Sequence, residues 1–141
     1  MADLNVAAVA VSLEAGAHHV PHTHPRAAEV LTLSAGTLAV WFVEENGHPD
    51  APPRLLRNVL AGSGAAFIPR GLIHGAACVG VARCAYVSVL ASGDPGVVSV
   101  GPRFCNAPPA DVAAALGIPQ ADAETVCEGV VMTFATGQPT Q

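Results

Sequence analysis

The chain has 141 residues, which is the length of a single domain, and 51% of them are hydrophobic, which is ample for one core. Charged residues make up only 12%, and a formal net charge of −5 with six Lys and Arg in total lacks the basic footprint that nucleic-acid binding requires. No apolar run reaches the roughly 18 residues of a membrane span. We therefore predict one globular domain over residues 1–141, with neither nucleic acid nor membrane as a partner.

The N-terminal segment has the pattern of a β-strand. Residues 6–11 form a short apolar run that ends at Ser12 and Glu14, and the first four residues carry no positive charge. A secretory signal peptide begins with a basic region, so this segment does not have the pattern of one. We predict a first strand over residues 5–13. On this pattern the protein is either cytoplasmic, or a leader and a first strand are missing from the chain.

Turn residues divide the following stretch into a loop and a predicted hairpin. Residues 14–20 are predicted to form a loop whose two histidines, His18 and His19, are solvated or line the mouth of a barrel. Residues 29–34 and 37–44 are β-rich runs separated by an Ala-Gly pair, which is the pattern of a hairpin. Asn-Gly, His-Pro and Pro-Pro pairs then indicate a loop.

The second half of the strand-rich region contains another predicted hairpin, formed by residues 72–79 and 82–90. Further strands are predicted at residues 54–60, 65–68 and 97–100. A change in composition after Pro108-Pro109 indicates helices.

The predicted helices form a C-terminal extension. Residues 111–116 favour a helix that Gly117 and Pro119 would stop, and residues 121–127 favour a second helix. Residues 130–134 are predicted to be a strand or a docked tail. The domain would then consist of a strand-rich region over about residues 5–101, which the resemblance described below implies is a barrel, and a helical extension over about residues 108–128.

Four cysteines, Cys78, Cys84, Cys105 and Cys127, leave two interpretations open. Cys78 and Cys84 flank a stretch that resembles a turn, and they would face each other across a hairpin. A disulfide could form there in an oxidising compartment. Alternatively, the four cysteines are small buried hydrophobic residues.

The residues with the clearest chemistry are His22, His24, Glu29 and His74. In an extended segment His22 and His24 face the same side, because alternate side chains share a face. Glu29 cannot share that face in one straight strand, so a bend near Pro25, which cannot donate to a strand ladder, must re-aim the chain. An isolated His-x-His pair is usually two half-exposed strand histidines, whereas the combination with Glu29 and His74 predicts a metal site.

The predicted ligand set would consist of three imidazoles and one carboxylate. Together with two water positions, this set suits a six-coordinate, redox-active ion such as Mn²⁺ or Fe²⁺. Zn²⁺ can use the same ligands.

Two sequence motifs resemble those of the cupin superfamily. Gly16, His22, His24, Glu29 and Gly36 have the spacing of the first cupin motif as germins carry it, and residues 67–74, Phe-Ile-Pro-Arg-Gly-Leu-Ile-His, resemble the second. The stretch His-Pro-Arg-Ala-Ala-Glu-Val is similar to the spherulin-type germin-like proteins of fungi and slime moulds. The likeness runs from about Val6 to Ile118.

The resemblance implies an all-β fold, a single cupin jelly-roll barrel with short C-terminal helices and a manganese-type site inside it. It also implies an extracellular location and a homo-oligomer with residues 111–116 at the interface. The partner of the site would be a small-molecule anion or an oxygen species. Arg26 and Arg70, beside the two motifs, either draw anionic substrates to the mouth or are solvated turn residues.

Three functions fit the resemblance. The first is a manganese-dependent oxidoreductase similar to germin-type oxalate oxidases or superoxide dismutases. The second is a non-catalytic binding or storage protein that retains the metal site. The third is a biosynthetic accessory enzyme, an isomerase or a dioxygenase. Oxalate-oxidising germins carry an Asn four residues after the last histidine ligand, where this chain has Cys78, so we expect weak or absent oxalate oxidation.

Overall fold

The structure is a computed structural model that describes residues 4–45, 51–131 and 135–136. Within these residues it contains ten strands: β1 (Ala7–Leu13), β2 (His18–Thr23), β3 (Glu29–Ala35), β4 (Thr37–Val43), β5 (Leu55–Ala61), β6 (Ala65–Ile68), β7 (His74–Cys78), β8 (Cys84–Leu90), β9 (Val98–Ser99) and β10 (Ala135–Thr136). It contains three helices: α1 (Val100–Phe104), α2 (Pro109–Leu116) and α3 (Gln120–Glu128).

The strands form two antiparallel sheets. One sheet has four strands in the order β1-β8-β3-β6. The other has six strands, with the order β10-β2-β7-β4-β5 and with β9 paired to β2. The predicted all-β jelly roll with short C-terminal helices is therefore confirmed.

The core lies between the two sheets because every second side chain of each strand points inward. Along β3, Leu31 and Leu33 are buried while the residues between and after them are exposed. The buried core includes residues from both sheets: Leu13, Leu31, Leu33, Leu38, Val40, Leu60, Ile68 and Tyr86. Aliphatic side chains, leucine above all, fill most of this interior, as the low aromatic content of 4% requires.

Neither of the two predicted hairpins forms. β3 pairs with β6 and β8, whereas β4 pairs with β5 and β7, so the chain passes from one sheet to the other between them. Gly36 makes this corner with a φ of +84°, and a Cβ at this position would lie 2.7 Å from the carbonyl oxygen of Arg83. Only glycine fits such a corner without strain.

The second predicted hairpin is also a corner between sheets. β7 belongs to the six-stranded sheet, and β8 belongs to the four-stranded sheet. Cys78 and Cys84 form a disulfide across this corner and are fully buried. The disulfide interpretation of this pair is therefore correct, although the pair joins two sheets instead of the two strands of a hairpin.

The helical extension follows the predictions closely. α2 and α3 include the predicted helices, and α2 ends at Gly117 with a φ of 67°. Val112, Ala113 and Ala123 form a small core between them. A second disulfide, Cys105–Cys127, joins the end of α1 to α3.

Two further features of the extension complete its description. The short helix α1 was not predicted. Of the predicted strand or tail at residues 130–134, positions 132–134 lie outside the described residues, and β10 begins just after them. No helix among the described residues is long and apolar enough to cross a membrane.

Candidate metal centre

The four predicted ligands meet between the two sheets. His22 lies on β2, His24 follows the end of β2, Glu29 begins β3 and His74 begins β7. Each offers one nitrogen or oxygen atom, and these four atoms lie within 4.8 Å of one another. All four side chains are buried, with 3–6% of each residue exposed. The structure thus brings together the whole predicted set.

The bend that was predicted near Pro25 carries the chain from one sheet to the other. β2 ends at Thr23 in the six-stranded sheet, and β3 begins at Glu29 in the four-stranded sheet. Thr23 points away from the centre and donates its hydroxyl hydrogen to the carbonyl of Gly71 at 2.7 Å. The carboxylate and the imidazoles therefore approach the centre from opposite sheets.

The three histidines are oriented by backbone carbonyls. Nδ1 of His22 lies 2.8 Å from the carbonyl oxygen of Val20, and Nδ1 of His74 lies 2.8 Å from that of Leu72. Nδ1 of His24 lies 2.6 Å from the carbonyl oxygen of Gly96. A carbonyl can only accept, so each Nδ1 carries the hydrogen. Each Nε2 of a neutral ring is then left with a lone pair, which is how metal-binding histidines are usually fixed.

Glu29 completes a cluster of acceptors. The hydroxyl of Ser88 donates to Oε1, and Oε2 lies 3.0 Å from Nε2 of His74 and 3.6 Å from Nε2 of His24. Oε2 and Nε2 of His74 are buried and have no hydrogen-bond partner. Lone pairs that face each other at this distance repel unless a cation lies between them. The donor set therefore fits a divalent metal ion.

The protonation states of the cluster suit a metal. Burial lowers the pKa of His22 to about 4, and the neighbouring His74 adds to this effect. Burial acts to raise the pKa of Glu29, but the polar side chains around it, including the Ser88 hydroxyl that donates to Oε1, outweigh burial and hold the pKa below its usual range. At neutral pH the ring of His22 is neutral and Glu29 is a carboxylate, which are the forms that bind metal.

A cavity of about 390 Å³ adjoins the centre. Three of the four predicted ligands line this cavity, together with other polar residues and with apolar residues of β1, β8 and the segment before β9. The lining residues are Ala7, Ala8, Val9, Val11, His19, His22, His24, Glu29, Tyr86, Ser88, Leu90, Pro95 and Val97. The centre is thus accessible to a small molecule from one side.

His19 was predicted to lie in a loop, and the structure corrects this prediction. β2 begins at His18, and its register against β7 shifts between His19 and His22. This bulge changes the direction of the side chains that follow it, so His19 and His22, which are three positions apart, both line the cavity. His19 lines the cavity, whereas His18 is solvent-exposed, which is the solvated alternative of the prediction. Pro21 inside the strand was the available signal, because proline within a strand often marks a bulge.

Tyr86 and Ser88 are site residues that the sequence reasoning did not single out. The hydroxyl of Tyr86 lies 2.9 Å from Nδ1 of His19, and the two rings meet edge to face with centroids 6.0 Å apart. Burial raises the pKa of Tyr86 and lowers the pKa of His19. Polar side chains at alternate positions of a buried strand face were the signal, since buried polar groups need partners.

The two arginines beside the motifs do not face the cavity. Arg26 forms an ion pair with Asp94, with Nη2 and Oδ1 2.6 Å apart. Arg70 lines a separate groove beside Phe42 and Leu72. The interpretation in which they draw anions to the mouth is therefore not supported, and both lie outside the site.

Comparison with known proteins gives the family. The sequence profile described as cupin matches residues 1–124. The chain belongs to the cupin family. It is a germin-like cupin: germin-like protein subfamily 1 member 10 of Arabidopsis thaliana is 38% identical over 107 residues, which are 76% of this chain and 46% of the relative. Germin-like protein 4-1 of Oryza sativa subsp. japonica is 38% identical over 91 residues, 63% of this chain and 35% of the relative.

This germin-like cupin spans about half the length, or less, of these curated relatives. Among solved structures, it is similar to oxalate oxidase in complex with the substrate analogue glycolate, with a TM-score of 0.80, 28% identity, and coverage of 89% of this chain and 63% of that one. It also shares the fold of oxalate decarboxylase from Bacillus subtilis, with a TM-score of 0.81, 15% identity, and coverage of 96% and 33%.

Proposed function

We propose that this germin-like cupin binds one divalent transition-metal ion through His22, His24, Glu29 and His74. The observation that carries the proposal is the convergence of these four buried ligand atoms within 4.8 Å, two of them without any other hydrogen-bond partner. Imidazole nitrogens and one carboxylate suit Mn²⁺ or Fe²⁺, and Zn²⁺ is the alternative. We assign Mn²⁺ first because the motifs resemble those of manganese-type germins.

We further propose that the protein is a metal-dependent oxidoreductase acting on a small anion or an oxygen species. A redox-active ion at this centre would supply one-electron chemistry and positions for a small molecule. The chain itself contributes the neutral imidazoles, the carboxylate of Glu29 and the cavity that adjoins them. Ser88 holds the carboxylate by its hydrogen bond.

Between the two activities considered, superoxide dismutation is favoured over oxalate oxidation. Likeness to oxalate oxidase structures supports the second, but Cys78, which stands at the position of the germin Asn, lies in a buried disulfide, and no side-chain amide of the described residues lines the cavity beside the centre. A disulfide sulfur has no hydrogen to donate. Losing one hydrogen bond to a charged group reduces rate or affinity by about ten- to hundredfold.

The decisive experiment is elemental analysis of protein purified without chelator. We expect close to one equivalent of metal per chain in the wild type and little in His74→Ala. His18→Ala is the matched control, because His18 lies on the same strand as a ligand but is exposed. Equal metal content in His74→Ala and the wild type would refute the site.

Activity is then tested on the manganese-loaded protein in two assays side by side. One measures removal of superoxide, and the other measures peroxide formed from oxalate. We expect the first to exceed the buffer control and the second to be weak. If both assays are silent while metal is bound, the protein is a binding protein or a biosynthetic accessory protein.

We also propose an extracellular location and a homo-oligomer. Two disulfides among the described residues suit an oxidising compartment. The outer face of the four-stranded sheet exposes Val30, Phe67, Val87 and Val89, and apolar patches of this kind often mark interfaces. Residues 111–116 of α2 are the second candidate interface. Light scattering at micromolar concentration should give a multiple of 14.2 kDa, and a monomer mass would refute the oligomer.

A further inference from the structure

The cavity beside the centre has no arginine or lysine in its lining. The six Lys and Arg residues of the chain are all arginines, and all lie among the described residues. None of them lines the cavity. Arg26, Arg54 and Arg83 form ion pairs with carboxylates elsewhere. Among the described residues and a bound ion, the metal is therefore the only positive charge that an anionic ligand in this cavity would contact.

The charge of the centre limits what can bind there. This step rests on the proposed function, in which a divalent ion is held by Glu29 and three neutral imidazoles. The carboxylate cancels one of the two positive charges, so the centre carries a net charge of about one. A monoanion would neutralise it, whereas a dianion would leave an uncompensated charge in a largely apolar space, which is costly.

The remaining walls of the cavity are apolar. Val9 and Val11 of β1 and Leu90 of the neighbouring strand β8 line this space, together with Pro95 and Val97. The volume of about 390 Å³ falls within the range of small-molecule pockets, roughly 300–1,000 Å³. Oxalate has no apolar part, so it would make no apolar contacts with these walls.

The polar part of the wall beyond the ligands is small. Ser88 is engaged with Glu29, and Tyr86 is hydrogen-bonded to His19. The Tyr86–His19 contact fixes both rings at the side of the cavity. The wall therefore offers a narrow polar zone near the centre and an apolar zone towards the mouth.

We propose that the organic ligand of this site is a monocarboxylate with an apolar body of several carbons. Its carboxylate would bind at the metal and its body would lie against Val9, Val11 and Val97. Dicarboxylates, including oxalate, would bind more weakly than monocarboxylates of similar length. The apolar walls and the lack of a lining arginine determine this preference.

The test is a calorimetric titration of manganese-loaded protein, of measured metal content, with a series of straight-chain monocarboxylates and with oxalate and succinate. We expect affinity to rise by roughly three- to fourfold per added methylene from acetate to hexanoate, since each buried methylene contributes a similar increment. Changes in the electron paramagnetic resonance spectrum of Mn²⁺ during the titration show that the ligand binds at the metal. Affinity that does not change with chain length, or oxalate as the tightest ligand, would overturn the proposal.

A charge-introducing variant makes the test sharper. Val9→Arg places a cation at the cavity wall and should raise succinate affinity by up to about fivefold while weakening hexanoate binding. Ser12→Arg is the matched control, because Ser12 lies on the same strand as Val9 but is exposed on the opposite face. Equal behaviour of the two variants would contradict the proposal. A wild-type protein that takes up no metal refutes the site itself, whereas a loaded protein without the chain-length trend refutes only this inference.

Discussion

Removing the hydroxyl of Ser88 tests how the centre is held together. Ser88 is 3% exposed, and its hydroxyl is the donor that holds Oε1 of Glu29, which leaves Oε2 directed at the histidine nitrogens. In Ser88→Ala, Oε1 becomes a buried acceptor without this partner, and the carboxylate can rotate. Partners of this kind that orient a metal ligand typically change metal affinity by about 10- to 100-fold. That range corresponds to about 1.4–2.7 kcal/mol.

The affinity is measured by competition with a chelator of known manganese affinity, with the wild type and Ser88→Ala compared side by side. Ser34→Ala is the control, because Ser34 also donates a hydrogen bond through its hydroxyl, to the carbonyl of Ala85, but does so at an exposed position away from the centre. We expect Ser34→Ala to bind metal like the wild type. Unchanged affinity in Ser88→Ala would refute the role assigned to Ser88.

Two further predictions concern stability. Because the pKa of His22 falls from 6.5 to about 4 on folding, the unfolded chain binds a proton that the folded chain does not between these values. The free energy of unfolding of the metal-free protein should therefore fall by about 3 kcal/mol as the pH drops from 6.5 to 4, and Glu29 acts in the same direction. Urea unfolding at both pH values measures this change, and most of the pH dependence should be lost in His22→Asn. Gly36→Ala should cost about 2–5 kcal/mol, because its Cβ would meet the carbonyl of Arg83 at a positive φ. Gly62→Ala, also at positive φ but with no atom within 4 Å, should cost only about 1–2 kcal/mol in the same urea experiment.

The ligand set could be predicted from the sequence because it depends on short spacings. His22 and His24 share a face by strand alternation alone, and Pro25 marks the bend that aims Glu29. The strands could be predicted for the same reason, since the alternation of β3 is visible in its residues. These features are decided within a few residues of the chain.

The errors arose where distant parts of the chain decide the outcome. A Gly-containing turn between two β-rich runs looks the same in a hairpin and in a corner between sheets, and only the partners of β3 and β4 distinguish them. His19 was placed in a loop because a bulge, set by pairing with β7, is not visible in the local pattern. Arg26 was considered for the mouth because its partner, Asp94, lies 68 residues away.

The division of the ligands between sheets leads to a final prediction. Glu29 belongs to the four-stranded sheet, and His22 and His74 belong to the six-stranded sheet, so a bound ion would join the two layers. In the unfolded chain these groups are far apart, and the ion would bind the folded state selectively. Metal at 1,000 times its dissociation constant should then stabilise the fold by about 4 kcal/mol. For a domain of this size that is a rise of roughly 10 °C or more in Tm.

Thermal unfolding with manganese and with chelator measures this difference directly. We expect the shift in the wild type and in His18→Ala, whose altered residue is exposed, and we expect it to vanish in His74→Ala. The reason is that His74 supplies one of the two buried atoms without another partner, so its loss leaves the ion bound to only part of the set. An equal rise in Tm in His74→Ala would mean that the metal binds elsewhere, and it would refute the prediction that a bound ion joins the two sheets.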